Sequence, residues 1–374
     1  MRTDRLAFLD VLRGIAAMAV VFEHGFAECI PGYLDASVRY YDLGQFGVTL
    51  FMLISGFIIP ATLERGGSNR RFWINRFFRL FPLYWTTIAL FGLYYLLVHP
   101  EALYPTEAWQ WLANLTMLQD FLRAPHVTPV FWTLTLELLF YASCSILFAL
   151  RLFRWTALLA WLGQAALFLL GVVIPLVVHR RFPGGYAFLF LSMFVGTMFH
   201  RYVHGQASRQ HLAWLISSLA AVSLSVSYVS FALFTREGHP LTFHCVWTVW
   251  LSAFACFMAA LAWRGRAMPG WLSYLGRISY SLYLVHTWLI VVLPRQWPAP
   301  IYLGSFVAAT IALSSLTYYA IELPCIALGR RLSGQTLGSG APAVVSRMEP
   351  PEVLTVRDTH AIPPAAPADG RKVA

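Results

Sequence analysis

The stretch LDVLRGIAAMAVVFEHGF, residues 9–26, reads as a membrane helix that carries a guanidinium and an imidazole. Spanning a bilayer takes about 20 mostly apolar residues, and this stretch has the length. Arg13 and His24 lie eleven positions apart in it, close to three turns at about 3.6 residues per turn. They therefore share a face and differ in depth by roughly 16 Å. Asp10 falls near that face, one turn before Arg13, and Gly14, Ala17 and Val21 beside it permit close packing. Ionisable groups inside a bilayer are costly, so their first explanation is functional.

The remainder of the chain repeats the apolar pattern. Of its 374 residues 58% are hydrophobic and 12% are charged, about half the ~25% charge content of a soluble domain. The pattern predicts an all-α, polytopic membrane bundle of about ten helices, over residues 7–27, 46–63, 80–98, 131–150, 156–178, 186–203, 212–234, 241–263, 273–293 and 300–322. Each run is near the ~17–25 residues that cross the hydrocarbon core. Residues 109–121, WQWLANLTMLQDF, are amphipathic and too short to cross, and are expected to lie along the outer interface or dip into it. A membrane domain is expected over 1–331. Residues 332–374 are rich in Pro, Ala, Gly and Ser, a composition that predicts a disordered cytoplasmic tail.

Arginine placement orients the bundle. Arg65, Arg70, Arg71, Arg76 and Arg79 fall in a predicted loop over 64–79, and Arg151, Arg154, Arg201, Arg209, Arg264, Arg266 and Arg277 in other connections on that side. The opposite connections carry Glu28, Asp35, Asp42, Glu101, Glu107, Asp120 and Glu237 among fewer arginines. Positively charged loops stay inside, so both termini are expected in the cytoplasm. The net charge of +10 is explained by this topology, which leaves no call for a nucleic-acid partner. The five cysteines show neither metal nor redox spacing, and no metal is expected.

The fourth predicted span, FWTLTLELLFYASCSILF, runs inward and places Glu137 about six residues from its outer end, roughly 9 Å deep. That is the depth expected for His24. A carboxylate beside an imidazole fixes its tautomer and stabilises the imidazolium formed during proton transfer; a structural ion pair between packed helices would look the same. His286, in the outer half of the ninth span, is either a second site residue or a packing histidine that donates to a backbone carbonyl. Arg76 and Arg79, three apart and so on one helical face, suit phosphate with their planar forks. Lipid headgroups or topology alone would account for them equally. No Gly-rich phosphate loop, metal-ligand cluster or Gly-x-Ser-x-Gly element is present.

Six segments, in order, resemble the acyltransferase-3 family of membrane acyltransferases, which includes bacterial O-antigen, exopolysaccharide and Nod-factor acetyltransferases. They are RLAFLDVLRGIAAMAVVFEHGF, FGVTLFMLISGFII, FWINRFFRLFPLYW, FWTLTLELLFY, RISYSLYLVH and IELP, and the resemblance covers about 7–330. It implies transfer of an acyl group, usually acetyl, from cytoplasmic acyl-CoA to a hydroxyl of a cell-surface or lipid-linked carbohydrate, at the bacterial inner membrane. The family's Arg-x10-His pattern maps onto Arg13 and His24, its Arg-x-x-Arg pattern onto Arg76 and Arg79, and its acidic residue onto Glu137. The expected catalytic residues are thus His24, Glu137 and Arg13, with Arg76, Arg79 and Arg13 holding the donor. One departure is Thr49, where many members have Asp or Glu. A proton-coupled polysaccharide or lipid-linked-sugar transporter is the competing reading, since buried charges and a His/Glu pair would also serve a carrier.

Overall fold

The computed structural model of the chain describes residues 7–98, 105–180, 184–234 and 241–334. The predicted tail from 335 onward and residues 99–104 and 235–240 lie outside the described residues. Among the described residues every regular element is helical. In chain order they are α1 (Ala7–Cys29), α2 (Tyr33–Tyr40), α3 (Leu43–Gly66), α4 (Asn69–Val98), α5 (Ala108–Leu115), α6 (Trp132–Ala149), α7 (Thr156–Phe168), α8 (Ile174–Val178), α9 (Gly184–Val203), α10 (Arg209–Tyr228), α11 (Phe243–Ala262), α12 (Gly270–Arg277), α13 (Ser279–Val292), α14 (Ala299–Thr317) and α15 (Leu323–Leu332). Short π-helical turns join α7 to α8 and α14 to α15. Among the described residues seven helical runs are long and apolar enough to cross a membrane, or eight if α12 and α13 count as one broken span. The chain is a multi-pass membrane helix bundle, with helix at each of the ten positions the sequence predicts.

Helix α1 is the axis of the bundle. It packs against α2, α3, α11, α12, α13 and α14, and most of its apolar side chains are buried. A helix so enclosed by protein can carry Asp10, Arg13, Glu23 and His24 without presenting them to lipid. Small residues let its neighbours approach. A Cβ added at Gly276 of α12 would stand 1.8 Å from the Asp10 carbonyl oxygen, and one at Gly14 would stand 2.5 Å from that of Leu272. The α3–α9 contact is built the same way, with the site of a Gly56 Cβ lying 1.8 Å from the Met193 carbonyl oxygen. Between membrane helices such close van der Waals packing replaces the hydrophobic drive that operates in water.

Three local departures from the sequence expectation shape the site. First, the stretch read as a loop over 64–79 is mostly helix. Gly67, at φ 62, closes α3 by donating its N–H to the Leu63 carbonyl at 2.9 Å, and α4 begins at Asn69. Arg76 and Arg79 therefore sit within α4. NRRFWINRFFRLF has no glycine or proline to stop the helix, so its arginines enter the bundle with it.

Second, the 105–131 segment is anchored in the bundle through its buried residues Ala113, Asn114, Met117 and Gln119, while Trp109, Leu112 and Phe121 stay exposed. The Tyr84 hydroxyl, near the midpoint of α4, donates to the Asn114 carbonyl at 2.7 Å, and the Trp85 indole donates to the Leu115 carbonyl at 2.9 Å. The buried Asn114 amide donates to the carbonyls of Gln110 and Pro125 at 2.8 Å each, and its oxygen accepts from Val127 N at 3.1 Å. These bonds satisfy backbone groups that could not otherwise be buried, and α6 consequently starts inside the protein. Third, the ninth span is not straight: α12 and α13 meet at a 71° bend.

Candidate active site

Polar residues along α1 form two stations. At the first, Arg13 faces α4, α6 and the turn between α14 and α15, and the charges acting on it come from Arg79, Asp10, Glu322 and Glu137. The Arg76 guanidinium lies over the rings of Phe72 and Tyr141, at 5.3 Å from each centroid. Such cation–π seats stabilise a desolvated guanidinium without consuming its donors. The Tyr141 hydroxyl donates to Glu137 Oε1 at 2.5 Å, and Ser55 Oγ donates to the same oxygen at 3.2 Å. Glu322 is 1% exposed; its Oε2 accepts from Ser281 Oγ at 2.9 Å, while its Oε1 has no partner. The π-helical turn Tyr318–Glu322 ends on this residue, and such turns are frequent at functional positions.

Among the described residues Arg13, Arg76 and Arg79 form no direct ion pair. All three are half-buried rather than sealed, as are Ser55 and Glu137. The cluster offers guanidinium donors to an anion that reaches it, and Arg suits phosphate for its planar fork.

At the second station His24 donates from Nδ1 to the Val20 carbonyl at 2.9 Å, and its ring centroid lies 5.0 Å from that of His286, tilted by 55°. His286 is fully buried and donates from Nδ1 to the Leu282 carbonyl at 3.0 Å. Its Nε2 has no partner. A carbonyl oxygen can only accept, so each Nδ1 carries the ring hydrogen and each Nε2 of the neutral rings presents a lone pair. Tyr283, one turn earlier on α13, contacts the His286 ring edge-on. Its hydroxyl pairs with Thr133 Oγ1 at 2.7 Å and donates to the Val130 carbonyl at 3.1 Å, which ties α13 to the start of α6.

The sequence expectation set Glu137 beside His24; its hydrogen bonds run instead to Ser55 and Tyr141. Helices α1 and α3 run antiparallel, with the Glu23 carboxylate accepting from Leu43 N at 2.9 Å and Gly47 lying on Ala16 and Val20. Ser55, eight residues beyond Gly47, is therefore level with the Asp10–Arg13 turn, and Glu137, bonded to it, lies roughly 16 Å from the level of His24. Glu137 belongs to the arginine station because α6 starts inside the bundle and carries it deeper. The backbone of Val20 performs the orienting expected of a carboxylate. Arg13 and His24 do occupy one helix, and Arg76 and Arg79 do converge with Arg13. Thr49 is buried and donates to the Gln45 carbonyl at 2.8 Å, which completes its bonding within α3. Sequence reasoning missed Glu322, Tyr141 and Ser55. The first had a signal, a carboxylate at the end of an apolar run; the other two had none. Among the described residues no group of His, Cys, Asp and Glu is placed to hold a metal.

Compared with known protein families, residues 6–319 match the acyltransferase-3 family, described as an acyltransferase domain. The chain belongs to the acyltransferase-3 family. Among curated proteins it is 29% identical over 159 residues to acyltransferase MdmB of Streptomyces mycarofaciens, a match covering 40% of this chain and 41% of that protein. A putative acetyltransferase of Acidianus two-tailed virus is 25% identical over 283 residues, covering 74% of this chain and 80% of the viral protein. The peptidoglycan O-acetyltransferase OatA of Listeria monocytogenes is 28% identical over 152 residues, covering 36% of this chain and 22% of its own length. The match thus spans about two fifths of the length of MdmB. No solved structure matches this acyltransferase-3 chain.

Proposed function

We propose that the protein moves an acyl group, acetyl above all, from acyl-CoA to a hydroxyl of a cell-surface or lipid-linked carbohydrate. The observation that carries this is the placement, on one enclosed helix, of Arg13 and the His24 imidazole roughly 16 Å apart, with Arg76 and Arg79 of α4 joining Arg13. Acyl-CoA has that polarity: an anionic phosphate-bearing end joined by a long arm to a thioester. Arg76 and Arg79, with Arg13, hold the phosphate-bearing portion, and the arm extends along α1 toward His24. The arginine bias of the connections favours the cytoplasm for the end nearer Arg13, for both termini and for donor entry, in a bacterial inner membrane.

His24 Nε2 accepts the proton of the acceptor hydroxyl as the oxygen attacks the thioester carbonyl. The new C–O bond forms, the C–S bond breaks, and the thiolate recovers the proton from His24. The Nδ1–Val20 bond holds the ring in the tautomer this step needs. The same nitrogen can instead carry the acyl group briefly, and acid-quench trapping of a labelled acyl-protein separates the two routes. Glu137, through Tyr141, positions Arg76 for the donor. A carbohydrate acceptor is supported by the name of the Listeria relative, a peptidoglycan O-acetyltransferase. Membrane lipid is the other partner, and nothing in the charge layout asks for nucleic acid.

The test is to follow label from acetyl-CoA in membranes that contain the protein, and to compare surface glycans by mass spectrometry with and without it. Loss of an acetyl increment in its absence is expected. Identical glycans together with no label transfer would contradict the proposal.

A further inference from the structure

The His24–His286 pair carries a hydrogen-bonding demand that acyl transfer to a simple alcohol does not meet. Both rings donate from Nδ1 to their own helix, at Val20 and Leu282. Their centroids are 5.0 Å apart, and both Nε2 atoms therefore offer lone pairs to one small region. No donor from the protein serves His286 Nε2. Two hydroxyls beside it on α13 are already committed: Tyr283 to Thr133 and Val130, and Thr287 to the Leu284 carbonyl at 2.9 Å. Leaving a buried acceptor unsatisfied is costly unless a hydrogen-bearing group lies against it.

A single acceptor hydroxyl has one hydrogen, which goes to His24. Something must bring a second. Neighbouring hydroxyls of a carbohydrate do so at close spacing. We propose that His286 is a binding residue for the acceptor, and that the His24–His286 pair selects a vicinal diol. One hydroxyl gives its proton to His24 Nε2 and takes the acyl group, while its neighbour keeps its proton and donates a hydrogen bond to His286 Nε2. This rests on the acyl-transfer reading above and narrows its substrate class to acceptors with adjacent hydroxyls.

The probes are ethane-1,2-diol and ethanol, the smallest vicinal diol and its monohydroxy counterpart, offered with acetyl-CoA to the full chain in lipid nanodiscs. The wild type is expected to favour the diol by roughly 10-fold per hydroxyl in kcat/KM, because ethanol leaves His286 Nε2 unpaired. His286→Ala and the volume-preserving His286→Phe should collapse that ratio to below about 2-fold, whatever they do to absolute rates. His286→Asn, which restores an acceptor oxygen, should recover part of it. A wild-type ratio near one, or a ratio that survives both His286→Ala and His286→Phe, overturns the diol site alone. Transfer to neither probe also overturns the diol site, whereas the acyl-transfer reading falls only if membranes containing the protein move no label from acetyl-CoA and the surface glycans are the same with and without it.

Discussion

Gly276→Ala adds one methyl group, removes no polar atom, and should nonetheless disable the protein. The new Cβ would lie 1.8 Å from the Asp10 carbonyl oxygen and 2.5 Å from its carbon, where ordinary contact begins at 3.4 Å. Helix α12 must then retreat from α1 by about 1.6 Å, with main chain on both sides and no flexible side chain to yield. Overpacking of this kind costs about 1–3 kcal/mol, and the rigid surroundings put this case near the top of that range. At ~2–4 °C per kcal/mol for a large domain, the unfolding temperature should fall by roughly 6 °C or more. Because Asp10 is one turn from Arg13, the arginine station moves too, and a shift of ~1 Å can cost ~100-fold in turnover. Thermal unfolding in detergent micelles, followed with a thiol-reactive fluorogenic dye, reads the first effect, since Cys144 and Cys245 are buried and free. Gly304→Ala is the control: nothing lies within 4 Å of its added Cβ, so it should be neutral or slightly stabilising. A Gly276→Ala protein that melts within about 1 °C of wild type and turns over normally would refute the packing argument.

Arg76→Ala should weaken acetyl-CoA binding by roughly 10-fold or more, and Arg76→Lys should not restore it, because an ammonium has neither the fork nor the flat face that lies on Phe72 and Tyr141; unchanged affinity by equilibrium binding would remove Arg76 from the donor site. Glu137→Gln should raise KM for acetyl-CoA and leave KM for the alcohol acceptor largely alone, and the opposite split would place Glu137 back beside His24. Asn114→Ala strips partners from the Gln110 and Pro125 carbonyls and from Val127 N, each loss costing about 1–3 kcal/mol if buried; limited proteolysis within 105–131 should accelerate markedly, and wild-type cleavage kinetics would show that Asn114 does not clip that segment.

What the sequence made legible follows physical range. Membrane helices announce themselves by length and apolarity, so all ten expected spans are occupied by helix. The shared face of Arg13 and His24 follows from helical pitch alone, as does that of Arg76 and Arg79. Depth between helices is not local. Counting from the end of a straight span levels Glu137 with His24, whereas the bonds of Asn114 and Tyr84 draw the preceding segment inward and Glu137 bonds Ser55 and Tyr141. The 71° bend before Ser279 and the π-helical turn at Tyr318–Glu322 are likewise set by packing, the first where Gly276 and Gly14 allow α12 to lie on α1. His286 could be seen in the sequence as a buried histidine, but only its 5.0 Å approach to His24 makes it a partner.

The proposed chemistry rests on the Nε2 lone pair of His24, as proton acceptor or acyl carrier. Its decisive test is label transfer from acetyl-CoA by purified His24→Ala, beside wild type, in lipid nanodiscs after both have shown the same unfolding temperature. Transfer should fall by about 100-fold or more, the ordinary contribution of a positioned acid–base group, while acetyl-CoA affinity at the arginine station stays near wild type. A folded His24→Ala protein that transfers label at the wild-type rate would contradict the account.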